Sequence, residues 1–164
     1  MQKKLSVALL SGGSSSEREI SLKGGDQVYE ALDKQKYRVT RYDPRTDIPG
    51  LFADAAHIDV ALVILHGVRG EDGTVQGLLD LLKIPYQCSG RLARALPMNK
   101  LASKRLYEAA GMPVPPYIGI RSGNVLDVDA WIAQLGLPMV IKPACSGSSI
   151  GMSIVHDASE FDKA

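Results

Sequence analysis

Leu5-Ser-Val-Ala-Leu-Leu-Ser-Gly-Gly-Ser-Ser-Ser-Glu17 decides the fold. Its first six residues are a short, nearly continuous apolar run, the pattern of a strand buried on both faces, and they empty into the glycine loop Ser11-Gly12-Gly13. Serines 14 to 16 then offer helix caps. Ser14-x-x-Glu17 and Ser16-x-x-Glu19 each fit a capping box, and Ile20, Val28, Ala31 and Leu32 follow at roughly helical spacing. A buried strand, a glycine loop and a helix running to residue 32 open an alternating α/β arrangement.

The same alternation continues outward. Residues 37–42 alternate in polarity as a second strand, and Asp59-Val-Ala-Leu-Val-Ile-Leu65 is the strongest buried-strand signal in the chain, ending at His66-Gly67. Beyond Gly73, the positions of Val75, Leu78, Leu79, Leu81 and Leu82 mark a helix, and Pro85-Tyr86-Gln87 starts a short return strand. This order predicts a parallel sheet with helices on both faces. Right-handed crossovers then put the loops after Leu10 and after Leu65 at the carboxyl edge of the sheet, where open α/β folds bind ligands.

A change of unit is expected close to residue 98, giving segments 1–97 and 98–164. Residues 100–110 read as a helix closed by Gly111, and Met112-Pro-Val-Pro-Pro116 is the most proline-dense stretch, typical of a connection. A strand over 117–120, a helix over 127–135, and strands over 139–142 and 152–155 joined by a Ser/Gly loop follow, the last two forming a hairpin. The final residues, from His156, read as the beginning of a capped helix. There is no internal repeat or low-complexity tract.

Composition narrows the function. The chain has 164 residues, 45% hydrophobic and 23% charged, which fits a globular protein able to bury a core. With 19 basic against 18 acidic residues, the net charge of +1 gives no basic field for nucleic acid and no polybasic membrane signal. Cys88 and Cys145 stand alone, so neither a disulfide framework nor a zinc site is indicated, and a reducing cytoplasm is the expected location. The apolar run after Met1-Gln-Lys-Lys is too short for a signal peptide, and no stretch reaches the roughly 20 apolar residues needed to cross a bilayer. Small molecules are the expected partners.

Several residues carry chemistry, each with a plainer reading beside it. Lys142-Pro-Ala-Cys-Ser-Gly-Ser-Ser-Ile-Gly151 puts a lysine at a strand end ahead of glycines and serines whose amides and hydroxyls suit phosphate. It is not a Walker loop, since the lysine precedes the glycines and a strand follows, and a flexible hairpin turn fits the spacing equally well. Lys100 lies near a helix start, where a cation is poorly matched to the dipole unless an anion lies between; a solvated lysine is the ordinary case. Glu17 suits a substrate amine or a helix cap. His66 points from a buried scaffold into the polar loop Gly67-Val-Arg-Gly-Glu-Asp-Gly73 and suits a carboxylate or phosphate, although a satisfied core histidine is commoner. Glu71 and Asp72 read as caps of the following helix.

Taken together, four segments resemble the D-alanine–D-alanine ligases: Gly12-Gly-Ser-Ser-Ser-Glu-Arg-Glu-Ile-Ser-Leu22, His66-Gly-Val-Arg-Gly-Glu-Asp-Gly-Thr-Val-Gln-Gly77, Met98-Asn-Lys100, and Lys142 through Gly151. Their order and spacing match, and the resemblance covers essentially the whole chain. It implies a parallel Rossmann-like (pre-ATP-grasp) sheet domain over 1–97 and the beginning of an ATP-grasp domain over 98–164.

The resemblance also implies roles. Glu17 would hold the amine of the first D-alanine and count as catalytic, Ile20 would pack beside its methyl, and His66 would lie at the substrate end. Lys100 and Lys142 would bind ATP phosphates, and Ser148, Ser149 and Gly151 belong to the loop that closes over the terminal phosphate, Ser148 also counting as catalytic. One D-alanine carboxylate would attack the γ-phosphate of ATP to give an acyl phosphate, which the amine of a second D-alanine then attacks, supplying the cell-wall dipeptide. Family members use ATP and magnesium and commonly pair as homodimers through the amino-terminal domain.

Two departures concern loop geometry. Ala144-Cys-Ser146 replaces a more charged or bulkier segment, and Arg91, Arg94, Pro97 and Asn99 interrupt a familiar small-residue run ending in Asp-Lys. Relatives also continue well beyond this length through the adenine-binding strands, a lid, a catalytic arginine and the magnesium ligands, so no metal ligand is expected here and the 164-residue chain alone is expected to be inactive. Alternatives that remain open are a D-alanine–D-lactate ligase and a non-catalytic module that binds a small ligand or dimerises.

Overall fold

Burial on both faces is what makes β1 (Leu5–Leu10) apolar without alternation. In the computed structural model, which describes residues 3–147 and 149–163, this strand lies between β2 (Tyr37–Tyr42) and β3 (Val60–Val63), parallel to both. Leu5 pairs with Tyr37 and Leu10 with Tyr42 on one side, and Val7 with Val60 and Leu10 with Val63 on the other. Val7, Ala8, Leu9 and Leu10 are all 3% exposed or less. β2 is an edge strand with mostly half-buried and exposed side chains, which accounts for its alternating polarity.

The chain divides into two compact units, Met1–Pro97 and Met98–Ala164. In the first, α1 (Arg18–Ala31) follows β1, α2 (Ile48–Asp54) stands between β2 and β3, and α3 (Thr74–Leu81) and α4 (Arg91–Met98) follow β3. α1 crosses close over the end of β1: a Cβ on Gly25 would lie 2.5 Å from the side chain of Ser11. The principal core gathers Ala8, Leu10, Tyr42, Leu51, Val63, Leu65, Val75 and Leu79. α2 gives no periodic signal, being seven residues long with Pro49 in its first turn, where a missing amide proton costs nothing.

The return strand expected from residue 85 is reduced to a single parallel bridge between Ala61 and Tyr86. The side chain of Gln87 replaces the ladder beyond it, its Oε1 accepting from the Val63 amide at 2.8 Å and its Nε2 donating to the Val63 carbonyl at 3.0 Å. Glu17, rather than Ser14 or Ser16, takes the N-cap position of α1, and it does so without a side-chain cap bond.

In the second unit, Asn99 caps α5 (Lys100–Ala109) by accepting from the amides of Leu101 and Ala102, both at 3.1 Å. Asp127 caps α6 (Val128–Leu135) by accepting from Ala130. β4 (Met139–Ile141) and β5 (Ser153–Val155) form the antiparallel hairpin. Residues 117–120 do not form the expected strand: they follow the prolines at 113, 115 and 116 and join no strand ladder among the described residues. The last segment is a 3-10 helix, Ala158–Lys163.

Candidate functional site

The loops after β1 and β3 meet at the carboxyl edge of the parallel sheet. Ser15 joins them: its hydroxyl donates to the carbonyl of His66 at 2.7 Å and accepts from the amide of Glu17 at 3.2 Å. Ser21, on α1, does the same one step deeper, accepting from the Gly12 amide at 2.8 Å and donating to the Ile64 carbonyl at 2.6 Å. These contacts bring Glu17, 7% exposed, against the start of the second loop. Gly67 there has φ +67, and a Cβ on it would lie 2.8 Å from Oε2 of Glu17. Two chain segments 50 residues apart thus meet on one carboxylate.

The second loop is folded on itself. The amides of Gly70 and Glu71 donate to the Gly67 carbonyl at 3.1 and 2.8 Å, and the Glu71 carboxylate accepts from the Gly67 amide at 2.8 Å. Asp72 acts as expected at the helix start, accepting from Thr74 at 3.0 Å, and it also accepts from the amide of Arg69. Burial alone would raise its pKa, but those bonds outweigh it and hold the carboxyl below its ordinary value. Glu71 instead turns inward and belongs to the loop rather than to the cap.

A charged clasp fixes the glycine turn after β1. Arg18 donates to the Gly13 carbonyl at 2.7 Å and pairs with Asp43 at 2.6 Å, while Asp43 accepts from the Gly13 amide at 2.9 Å. Burial pushes the Asp43 carboxyl up, yet the bonds from Arg18 and from the Arg45 and Gly13 amides leave it lowered overall. Sequence reading missed Arg18, Asp43 and Ser15. Asp43 follows an edge strand, and its role depends on a turn 30 residues earlier.

His66 is half-buried and lines a cavity of about 140 Å³ with Gly12, Gly13, Arg45, Leu65 and Arg69. Ile20, in the first turn of α1, is 60% exposed, an apolar side chain left in solvent beside a buried acid. A wider cleft of about 670 Å³ is lined by Asp72, Asp80, Tyr86, Arg91 and Leu92 among others, and Glu17, Ile20 and His66 are not on its wall.

In the second unit, Lys100 and the 142–151 loop come together. The Lys100 amide donates to the Ala144 carbonyl at 2.9 Å and its ammonium contacts the Ser146 carbonyl. Lys142 is exposed at the end of β4. Ser149 has φ +58 and Gly151 φ +68, and a Cβ on Gly151 would sit 3.0 Å from Pro143, so the loop is tightly curled. Ser148 lies outside the described residues. Among the described residues, no group of three or more His, Cys, Asp or Glu is placed to hold a metal, and no helix is long and apolar enough to cross a membrane.

The family model described as D-ala D-ala ligase N-terminus matches residues 48–89, and that described as D-ala D-ala ligase C-terminus matches residues 106–164. The chain is 58% identical to a D-alanine–D-alanine ligase of Syntrophobacter fumaroxidans, over 96% of this chain and 51% of that protein. The crystal structure of a D-alanine–D-alanine ligase from Bacillus anthracis superposes with a TM-score of 0.85 at 37% identity, covering 97% of this chain and 52% of the other. A structure from the same organism, complexed with ATP, gives 0.83 at 35% identity, covering 97% and 53%. The chain spans about half the length of the relatives it matches.

Proposed function

Because the chain belongs to the D-alanine–D-alanine ligase family, with the ATP-grasp fold of its structural neighbours, we propose that it supplies the amino-terminal half of an ATP-dependent ligase that makes D-alanyl-D-alanine. The observation that carries this reading is the buried Glu17 carboxylate, held where two loops converge at the carboxyl edge of the sheet. A carboxylate so placed accepts an ammonium group. Ile20 offers an apolar surface for a methyl one helical turn away, and His66 lies on the adjoining cavity wall.

The second unit fits phosphate. Lys100 and Lys142 carry the charge, and the curled loop through Ser149 and Gly151, with Ser148, offers amides and hydroxyls. Positive charge and fixed dipoles there stabilise a phosphoryl group in transfer. The first D-alanine's carboxylate takes the terminal phosphoryl group of ATP, and the second's amine attacks the resulting acyl phosphate, releasing phosphate and a proton. Glu17 anchors the first amine throughout. In this reading the magnesium of the whole ligase is held by residues other than the ones named here.

The exposed hairpin face supports a longer protein. Val140 and Ile154 are paired across β4 and β5 and are 52% and 54% exposed, an apolar surface that further strands would cover. In this reading the 164-residue chain is inactive alone, while the whole protein acts in the cytoplasm, feeds peptidoglycan synthesis and pairs as a homodimer through its first unit. A coupled assay tests it: D-alanine-dependent ADP release by the whole protein and none by this chain is the expected result, and ADP release by the chain alone would overturn the division of labour.

A further inference from the structure

We propose that Arg94 is a positioning residue of the amine site, acting through Glu71 and the Gly67 amide on Glu17. The inference rests on the reading of Glu17 as the D-alanine amine ligand and adds a residue to which that reading gives no part. Arg94 stands on α4, and its Nη1 lies 3.6 Å from Oε1 of Glu71. The other oxygen of the same carboxylate, Oε2, accepts from the amide of Gly67 at 2.8 Å, while the Glu71 amide donates back to the Gly67 carbonyl at 2.8 Å. Glu71 therefore closes the loop at two points, and Gly67 is the residue pressed against Oε2 of Glu17.

An ion pair between half-exposed side chains ordinarily contributes little, because ordering both long chains offsets the attraction. Here the side chains are 27% and 35% exposed, and the carboxylate is already ordered by the Gly67 amide, so only the arginine loses freedom. Arg94 holds one oxygen of the Glu71 carboxylate while the Gly67 amide holds the other, so the ion pair helps to keep the carboxylate on the loop that presses on Glu17.

The test is a double-mutant cycle in the whole ligase, reading the KM for the first D-alanine separately from kcat. Arg94→Ala is expected to raise that KM on the order of threefold to fivefold with kcat changed less than twofold, and Arg94→Lys to restore most of the loss. In a Glu71→Gln background, Arg94→Ala is expected to add nothing. An equal effect of Arg94→Ala in both backgrounds, or no effect while Glu17→Gln still abolishes D-alanine binding, overturns the positioning role alone. Unimpaired D-alanine binding by Glu17→Gln overturns the amine-site reading and this inference with it.

Discussion

Glu17 and Gly67 are packed with no room for a methyl group between them, since a Cβ on Gly67 would come 2.8 Å from Oε2 of Glu17 and 3.2 Å from Cβ of Ser15. The glycine also holds φ +67, a conformation other residues adopt at a cost. Gly67→Ala is therefore expected to destabilise the first unit by about 1 to 3 kcal/mol and to displace the carboxylate. D-alanine affinity should fall about tenfold or more, measured by titration beside a melting curve. Unchanged affinity would mean that the contact does not set the carboxylate's position.

Ser15 is the hinge of the same arrangement. Ser15→Ala removes the bond to the His66 carbonyl and the one from the Glu17 amide, and leaves both backbone groups in a partly buried place. The expected loss is about 1 to 3 kcal/mol. Amide hydrogen exchange should show faster opening at Glu17 and the 66–71 loop than in β1. Uniform exchange across the unit would contradict a local staple.

Asp43 should make stability depend on acid. Its carboxyl sits below its ordinary value, so its contribution is complete above the unfolded pKa of about 4 and is lost as pH falls through the lower folded value. Melting temperatures between pH 2 and 6 should fall less steeply for Asp43→Asn than for the parent chain. Parallel curves would show that Arg18 and the Gly13 amide do not hold the charged form.

Tyr42 gives the alkaline counterpart. Burial and the hydrogen bond to Asp54, at 2.7 Å, push its hydroxyl up to about 12. The folded state thus keeps the proton while the unfolded chain loses it near pH 10. Stability is complete below pH 10 and declines as pH rises toward 12, by roughly 2 kcal/mol at most. Tyr42→Phe should lower neutral stability by about 1 kcal/mol and flatten the alkaline decline. Spectrophotometric titration would show one fewer late-ionising tyrosine in that variant.

Sequence patterns carried the parallel sheet because β1 is buried on both faces, and β3, buried on one face and half-buried on the other, is likewise a continuous apolar run. Gly111 marked the end of α5, while its cap by Asn99 emerged only in the structure. What escaped was set by distant partners: Gln87 completes the edge of β3 with its side chain, and α2 is too short for its period to show. In the site, the placement of the loops bearing Glu17 and His66 after β1 and β3, at one edge of the sheet, was legible from strand order. The clasp of Arg18 and Asp43 and the bridging role of Ser15 depend on loops meeting in space, which no local pattern encodes.

The most direct test is calorimetric titration with D-alanine of the whole ligase and its Glu17→Gln variant, which keeps the shape of the side chain and removes its charge. Saturable binding by the parent protein is expected, with at least a tenfold loss in the variant and its melting temperature little changed. Equal binding by the two proteins would contradict the assignment of the buried Glu17 carboxylate as the anchor of the substrate amine.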